Sequence, residues 1–112
     1  MFLDVKKSMA DALEACRTIQ GFTSGHSLDT YCANHLLRSA VERQFEILGE
    51  ALGRMRRADH EFNDRLPEIG AIIGMRNRII LGYDSVDDAI VWDASQTHLP
   101  KLIQFLEQTV KP

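Results

Sequence analysis

Long stretches of this chain run without a proline, and their apolar residues recur at steps of three and four. Its 112 residues hold three prolines and seven glycines. From about Phe2 to Gln20, the residues Val5, Met9, Ala12, Leu13, Cys16 and Ile19 form one stripe of a helix. Gly21, Ser24 and Gly25 end it in a loop. A second segment starts near Ser27 to Thr30 and runs to about Arg57, carrying Leu37, Val41, Leu48, Leu52 and Met55. At about 28 residues it is some 42 Å long, enough to project beyond a minimal core. Gly49 interrupts it at a cost of about 1 kcal/mol relative to alanine. A glycine kept there suggests close helix approach.

Asp59 to Leu66 is polar, and Pro67 suits the first turn of a third helix, Glu68 to about Leu81, stopped by Gly82. A fourth segment starts at Ser85 to Asp88, where Asp87 and Asp88 favour a helix N-terminus. Ile90, Trp92, Leu99, Leu102, Ile103 and Leu106 continue it, and Pro100 is expected to kink or divide it. No stretch alternates as a strand does. These features predict an all-α, antiparallel, up-and-down bundle of four to five helices, with a long second helix, as one domain over residues 1–112.

Composition closes off several alternatives. Apolar residues at 45% and charged residues at 26% are ordinary for a globular chain. No apolar run approaches the roughly 18 residues of a membrane span. The start, Met1 to Asp4, lacks the pattern of a signal peptide, so a cytoplasmic location is expected. Cys16 and Cys32 fall in helical patterns and read as thiols rather than a disulfide. The formal net charge is -3, so any nucleic-acid contact has to be local rather than a property of the whole surface. Arg54, Arg56 and Arg57 read as a solvated helix end, where cations favour the negative pole of the dipole.

Residues that could carry chemistry are few. There is no phosphate loop, no metal-type His/Cys spacing and no nucleophile elbow, and neither a cofactor nor a metal is expected. His26, His35, His60 and His98 are scattered. Glu42, Glu46 and Glu50, four apart, share a helix face. No Glu-x-x-His accompanies them as in di-iron bundles, and Arg38, Arg43 and Arg54 are near enough to pair with them. The informative segment is Gly74 to Asp87, GMRNRIILGYDSVD. At 100° per residue, Arg76 and Tyr83 fall within about 20° of one face, and Asn77 and Leu81 within about 40° of each other. An arginine fork there suits a phosphate. The alternative is a helix end whose arginines cap carbonyls.

Three blocks in order, AVERQFEILGEA at 40–51, the segment 74–87, and Ile90-Val91-Trp92 followed by Leu99-Pro100-Lys101-Leu102, resemble the HepT-like toxins, small HEPN-fold proteins. The resemblance covers nearly the whole chain. Members of that family are encoded beside a minimal nucleotidyltransferase antitoxin in a type VII-like toxin–antitoxin system. Their signature is Arg-Asn, three residues, His, one residue, Tyr. Here it falls on Arg76, Asn77, position 81 and Tyr83. The resemblance implies a metal-independent endoribonuclease working as a homodimer, with both motifs facing one cleft. Arg76 would hold the scissile phosphate, with Arg78 as a further RNA contact. Asn77 would orient the arginine or the phosphate. Tyr83 would be the site at which the antitoxin adds AMP, blocking RNA by bulk and charge.

The chain departs from the signature at one place. Leu81 stands where the family has the histidine that shuttles a proton, and leucine carries no proton. General acid–base catalysis is worth about 10²- to 10⁴-fold, so the chain as written is expected to cut RNA poorly or not at all. Leu81 is either an engineered change that lets a toxic protein be produced, or natural, with the chain acting as a non-catalytic subunit that binds a nucleotidyltransferase. A displaced histidine such as His98 finds no support in the sequence.

Overall fold

A computed structural model describes the backbone of residues 2–82 and 86–110, and their side chains apart from those of residues 2–4, 63 and 110. Tyr83, the expected modification site, lies outside the described residues. The described residues form helices without strands: α1 (Phe2–Thr23), α2 (Leu28–Ala33), α3 (His35–Ala58), α4 (Pro67–Leu81), α5 (Asp88–Asp93) and α6 (Leu99–Val110). The all-α bundle expected from periodicity is what the chain forms. None of these helices is long and apolar enough to cross a membrane.

The single helix expected from Ser27 to Arg57 is instead two. Ser27 and Thr30 start α2 with a capping box: the Thr30 N–H donates to Ser27 Oγ at 3.2 Å, and the Ser27 N–H to Thr30 Oγ1 at 2.8 Å. Asn34 then adopts an extended backbone, with φ −114° and ψ 98°. Its N–H donates to the Tyr31 carbonyl, closing α2. Its side-chain Oδ1 accepts from the Leu37 N–H at 3.0 Å, opening α3. An asparagine that offers its own acceptor to the backbone breaks a helix as surely as proline does.

α3 is the long element, yet it does not project beyond the core. Leu37, Val41, Phe45, Leu48, Leu52 and Met55 are buried along it, because α1 packs beside it and α4 against it as well. From α1, the stripe of Ala12, Leu13, Cys16 and Ile19 is buried as its spacing predicts. The Cys16 thiol is pushed up to about 12 by burial. Cys16 and Cys32 are both free.

The segment after α3 is less polar than it reads. Phe62 is buried in a 3₁₀ turn, Phe62–Arg65, and meets the Phe105 ring at 5.9 Å. Pro67 opens α4 at the position where its missing N–H costs nothing. Gly82 ends it with an extended backbone, its N–H donating to the Arg78 carbonyl. The Asp87 carboxylate accepts from the Ala89 N–H at 2.9 Å and caps α5.

The last segment is divided just ahead of Pro100. A π-helical turn, Ala94–His98, joins α5 to α6 with the coil continuous, and the Leu99 N–H reaches back five residues to the Ala94 carbonyl. The proline ring ordinarily collides with the carbonyl four residues earlier. Widening the coil just ahead of it relieves that collision.

Candidate active site

The arrangement of Arg76 begins on the neighbouring helix. Gly49 lies on α3 facing α4, and a Cβ built there would stand 2.5 Å from Arg76 Cβ and 2.7 Å from Arg76 Cγ. Real atoms do not approach so closely. The missing methyl is therefore what lets the base of the Arg76 side chain lie on the α3 backbone. The close approach that a mid-helix glycine suggests is present, and the group it admits is an arginine stem.

From that seat the guanidinium is held on two sides. Arg76 Nη2 donates to Glu50 Oε2 at 3.0 Å, and Nη1 donates to Asn77 Oδ1 at 3.1 Å. Arg76 Nε is buried without a hydrogen-bond partner. The side chain keeps 30% of its surface exposed. It is therefore fixed at its root and partly open at its tip.

The surroundings are charged. Arg43, Arg54 and Arg76 alternate with Asp11, Glu46 and Glu50 around an open depression of about 400 Å³, with Ile47 and Ile80 as its apolar wall. Glu50 Oε1 also stands 3.8 Å from Arg54 Nη1 and 3.7 Å from Arg57 Nη2. Arg54 is tied back to α1 through Ser8 Oγ at 3.1 Å and Asp11 Oδ2 at 3.3 Å. Arg43 pairs with Glu46 at 3.2 Å. Glu46 and Glu50 thus form ion pairs, as their spacing from arginines suggests. Arg38 instead turns to Asp88 at 3.6 Å. Pairs this exposed contribute roughly 0.2–1 kcal/mol each, so their main effect is on where the guanidinium groups point.

The remaining residues of the motif are dispersed. Asn77 is exposed beside Arg76. Leu81, one turn further, is 85% exposed, and Ile80 46%. Arg78 lies about 200° around the helix from Arg76. It lines a separate small depression with Val86, Asp87 and Ile90. Arg76 and Arg78 therefore do not converge within one chain. No histidine lines the Arg76 depression. His98 Nδ1 stands 3.5 Å from Glu68 Oε2, and Glu68 is eight residues before Arg76, roughly 12 Å along α4.

Sequence reasoning missed the Glu50–Arg76 bond and the junction around Tyr31. Tyr31 is fully buried, packs on Trp92 at 5.4 Å between ring centroids, and its hydroxyl has no hydrogen-bond partner. Burial first, then the charges of Glu42 and Asp88, raise its pKa. An aromatic residue in a short stretch before a helix break gave no periodic signal.

Arg76 and Asn77 thus stand side by side near the end of α4, joined by a hydrogen bond. The sequence profile described as "Ribonuclease HepT-like" matches residues 12–109. The chain belongs to the HepT-like ribonuclease family. This HepT-like chain is 29% identical over 106 residues to "Putative RNase MJ1380" of Methanocaldococcus jannaschii, covering 93% of this chain and 94% of that protein. It is 28% identical over 108 residues to "Putative RNase MJ1216" of the same organism, covering 96% and 88%. "Probable ribonuclease HepT" of Thermococcus cleftensis is 28% identical over 99 residues, 87% of each chain. No solved structure matches this HepT-like chain.

Proposed function

We propose that this chain is the toxin subunit of a HEPN/nucleotidyltransferase toxin–antitoxin pair, an RNA-binding subunit of metal-independent endoribonuclease descent whose proton-transfer position has been lost. The observation that carries the reading is Arg76: rooted on Gly49, clamped by Glu50 and Asn77, and open at its tip. A planar fork held in that way suits a phosphodiester and the negative charge that grows on it during transfer.

In the active form of such a site, a histidine one turn beyond Asn77 takes the ribose 2′-hydroxyl proton or returns one to the leaving oxygen. The 2′-oxygen attacks the phosphorus, the 5′-oxygen leaves, and a cyclic phosphate results. Leu81 supports none of the proton movement. Two subunits face one another across the α4 ends, so that two copies of Arg76 flank one RNA strand. Arg78 contacts the backbone from the outer side of the helix. Tyr83 accepts AMP from the antitoxin in the cytoplasm, and the adduct excludes RNA.

Leu81→His tests the enzymatic part. The variant is expected to cleave RNA without added metal and to arrest growth, and adding Arg76→Ala is expected to abolish both. A Leu81→His chain that leaves RNA intact and cells healthy sinks the enzymatic reading.

One observation favours a second reading, a non-catalytic interaction subunit. Ile80 and Leu81 expose apolar surface next to the motif, and such surface commonly marks a protein contact. On this reading Leu81 packs at a subunit seam, and Arg76→Ala in the Leu81→His background changes neither RNA binding nor toxicity.

A further inference from the structure

Glu50 stands next to Gly49 in sequence, and both reach the same side chain on α4. Gly49 admits the Arg76 stem. Glu50 accepts from its Nη2 at 3.0 Å, the only acid within bonding distance of that guanidinium among the described residues. The two other arginines near Glu50 stand at 3.7 and 3.8 Å, beyond hydrogen-bond reach. Arg76 Nε is buried and makes no hydrogen bond that could fix the plane of the fork. Its orientation therefore depends on Glu50 at one nitrogen and on Asn77 at the other. Asn77 follows Arg76 on the same helix, so among the described residues Glu50 supplies the only hydrogen-bonded anchor from another element.

We propose that Glu50 is a positioning residue: its carboxylate aims the Arg76 fork at the phosphate, so that Gly49-Glu50 acts as a two-residue cradle on α3 for the RNA-contacting arginine of α4. The inference rests on the RNA-binding reading given above. Glu50 does not touch RNA. It acts by removing the alternative orientations that a partly exposed arginine would otherwise sample, and ordering a rotamer-rich side chain in advance lowers the cost of binding. A neutral amide at position 50 still presents an oxygen to Nη2. An alanine presents nothing.

The test uses the chain as it stands, a fluorescently labelled single-stranded RNA oligonucleotide, and the arginine Nε–Hε region of the proton–nitrogen correlation spectrum. The Arg76 signal is assigned by its loss in Arg76→Ala. Glu50→Ala is expected to weaken RNA binding by about fivefold or more and to move the Arg76 signal into the averaged arginine envelope. Glu50→Gln is expected to keep the signal and bind within about twofold of the parent. In the Arg76→Ala background, Glu50→Ala is expected to have no further effect, as for two residues acting through one group. Alanine is the better helix former, and a thermal melt identifies any unfolded variant. A Glu50→Ala chain that keeps the Arg76 signal, or binds RNA as well as or better than the parent, overturns the proposal. So does an equal loss in the Arg76→Ala background. If Arg76→Ala itself leaves RNA binding unchanged, the RNA reading fails, and the spectrum alone decides whether Glu50 orients the arginine.

Discussion

Glu42 lies on the same face of α3 as Glu46 and Glu50, but its surroundings differ. Desolvation raises its pKa, Asp88 and Glu46 add to the rise, and Arg38 and His35 oppose it. The sign of the consequence follows from proton counting. A carboxyl with a raised folded pKa binds its proton more tightly folded than unfolded, so folding carries a penalty at neutral pH that fades as pH falls through the folded pKa. Glu42→Gln is expected to raise the melting temperature by a few degrees at pH above 7, with the advantage shrinking on acidification toward the carboxylate range. Melts across pH check it, and a constant difference at every pH would falsify the electrostatic account. At this scale the sequence was informative about ion pairing along one helix, where spacing fixes neighbours. Pairing between helices was not legible. Nothing in the spacing brings Glu50 to Arg76, 26 residues on, or Arg38 to Asp88.

Among the elements, the contact between α3 and α4 carries the site. Gly49→Ala would place a methyl inside the Arg76 side chain, close to its root where no rotamer change can clear it. The helix gains about 1 kcal/mol of propensity from alanine, while forcing α3 and α4 apart costs about 1–3 kcal/mol. A net loss of stability is expected, together with weaker RNA binding than stability alone explains, measured by denaturant titration and RNA titration on the same sample. A Gly49→Ala chain that is more stable and binds RNA normally removes the cradle. Element types were readable from period and punctuation, since Pro67, Gly82 and Asp87 all mark ends where expected. The break at Asn34 was not, because asparagine is tolerated inside helices and becomes a cap only when its carbonyl oxygen finds an amide ahead. The π-helical turn was likewise invisible, since it depends on how the coil accommodates Pro100.

For the whole molecule, the feature that matters is apolar surface left outside. Leu36, Ile80 and Leu81 are exposed, Leu81 at 85%. Along α4, burial goes to Ile69, Ile72, Ile73 and Ile79, and Ile80 is left outside. Two large aliphatic side chains in water at the end of α4 suit the proposed subunit contact, since a two-fold interface meets its own copy. The chain is expected to sediment as a dimer, and the double change Ile80→Asp with Leu81→Asp to sediment as a monomer with its helical signal intact. Monomeric behaviour of the parent at micromolar concentrations overturns the pairing.

The turn between α5 and α6 carries one residue more than a regular helix would. Each residue advances the coil by about 100°, so that surplus sets the phase of everything after it. Leu99, Leu102 and Leu106 all face inward, and they do so by arithmetic as much as by hydrophobicity. Exchange of side chains at 94–98 leaves the count untouched. Excision of a single position there would swing the three leucines away from the interior together, however favourable each local replacement might look.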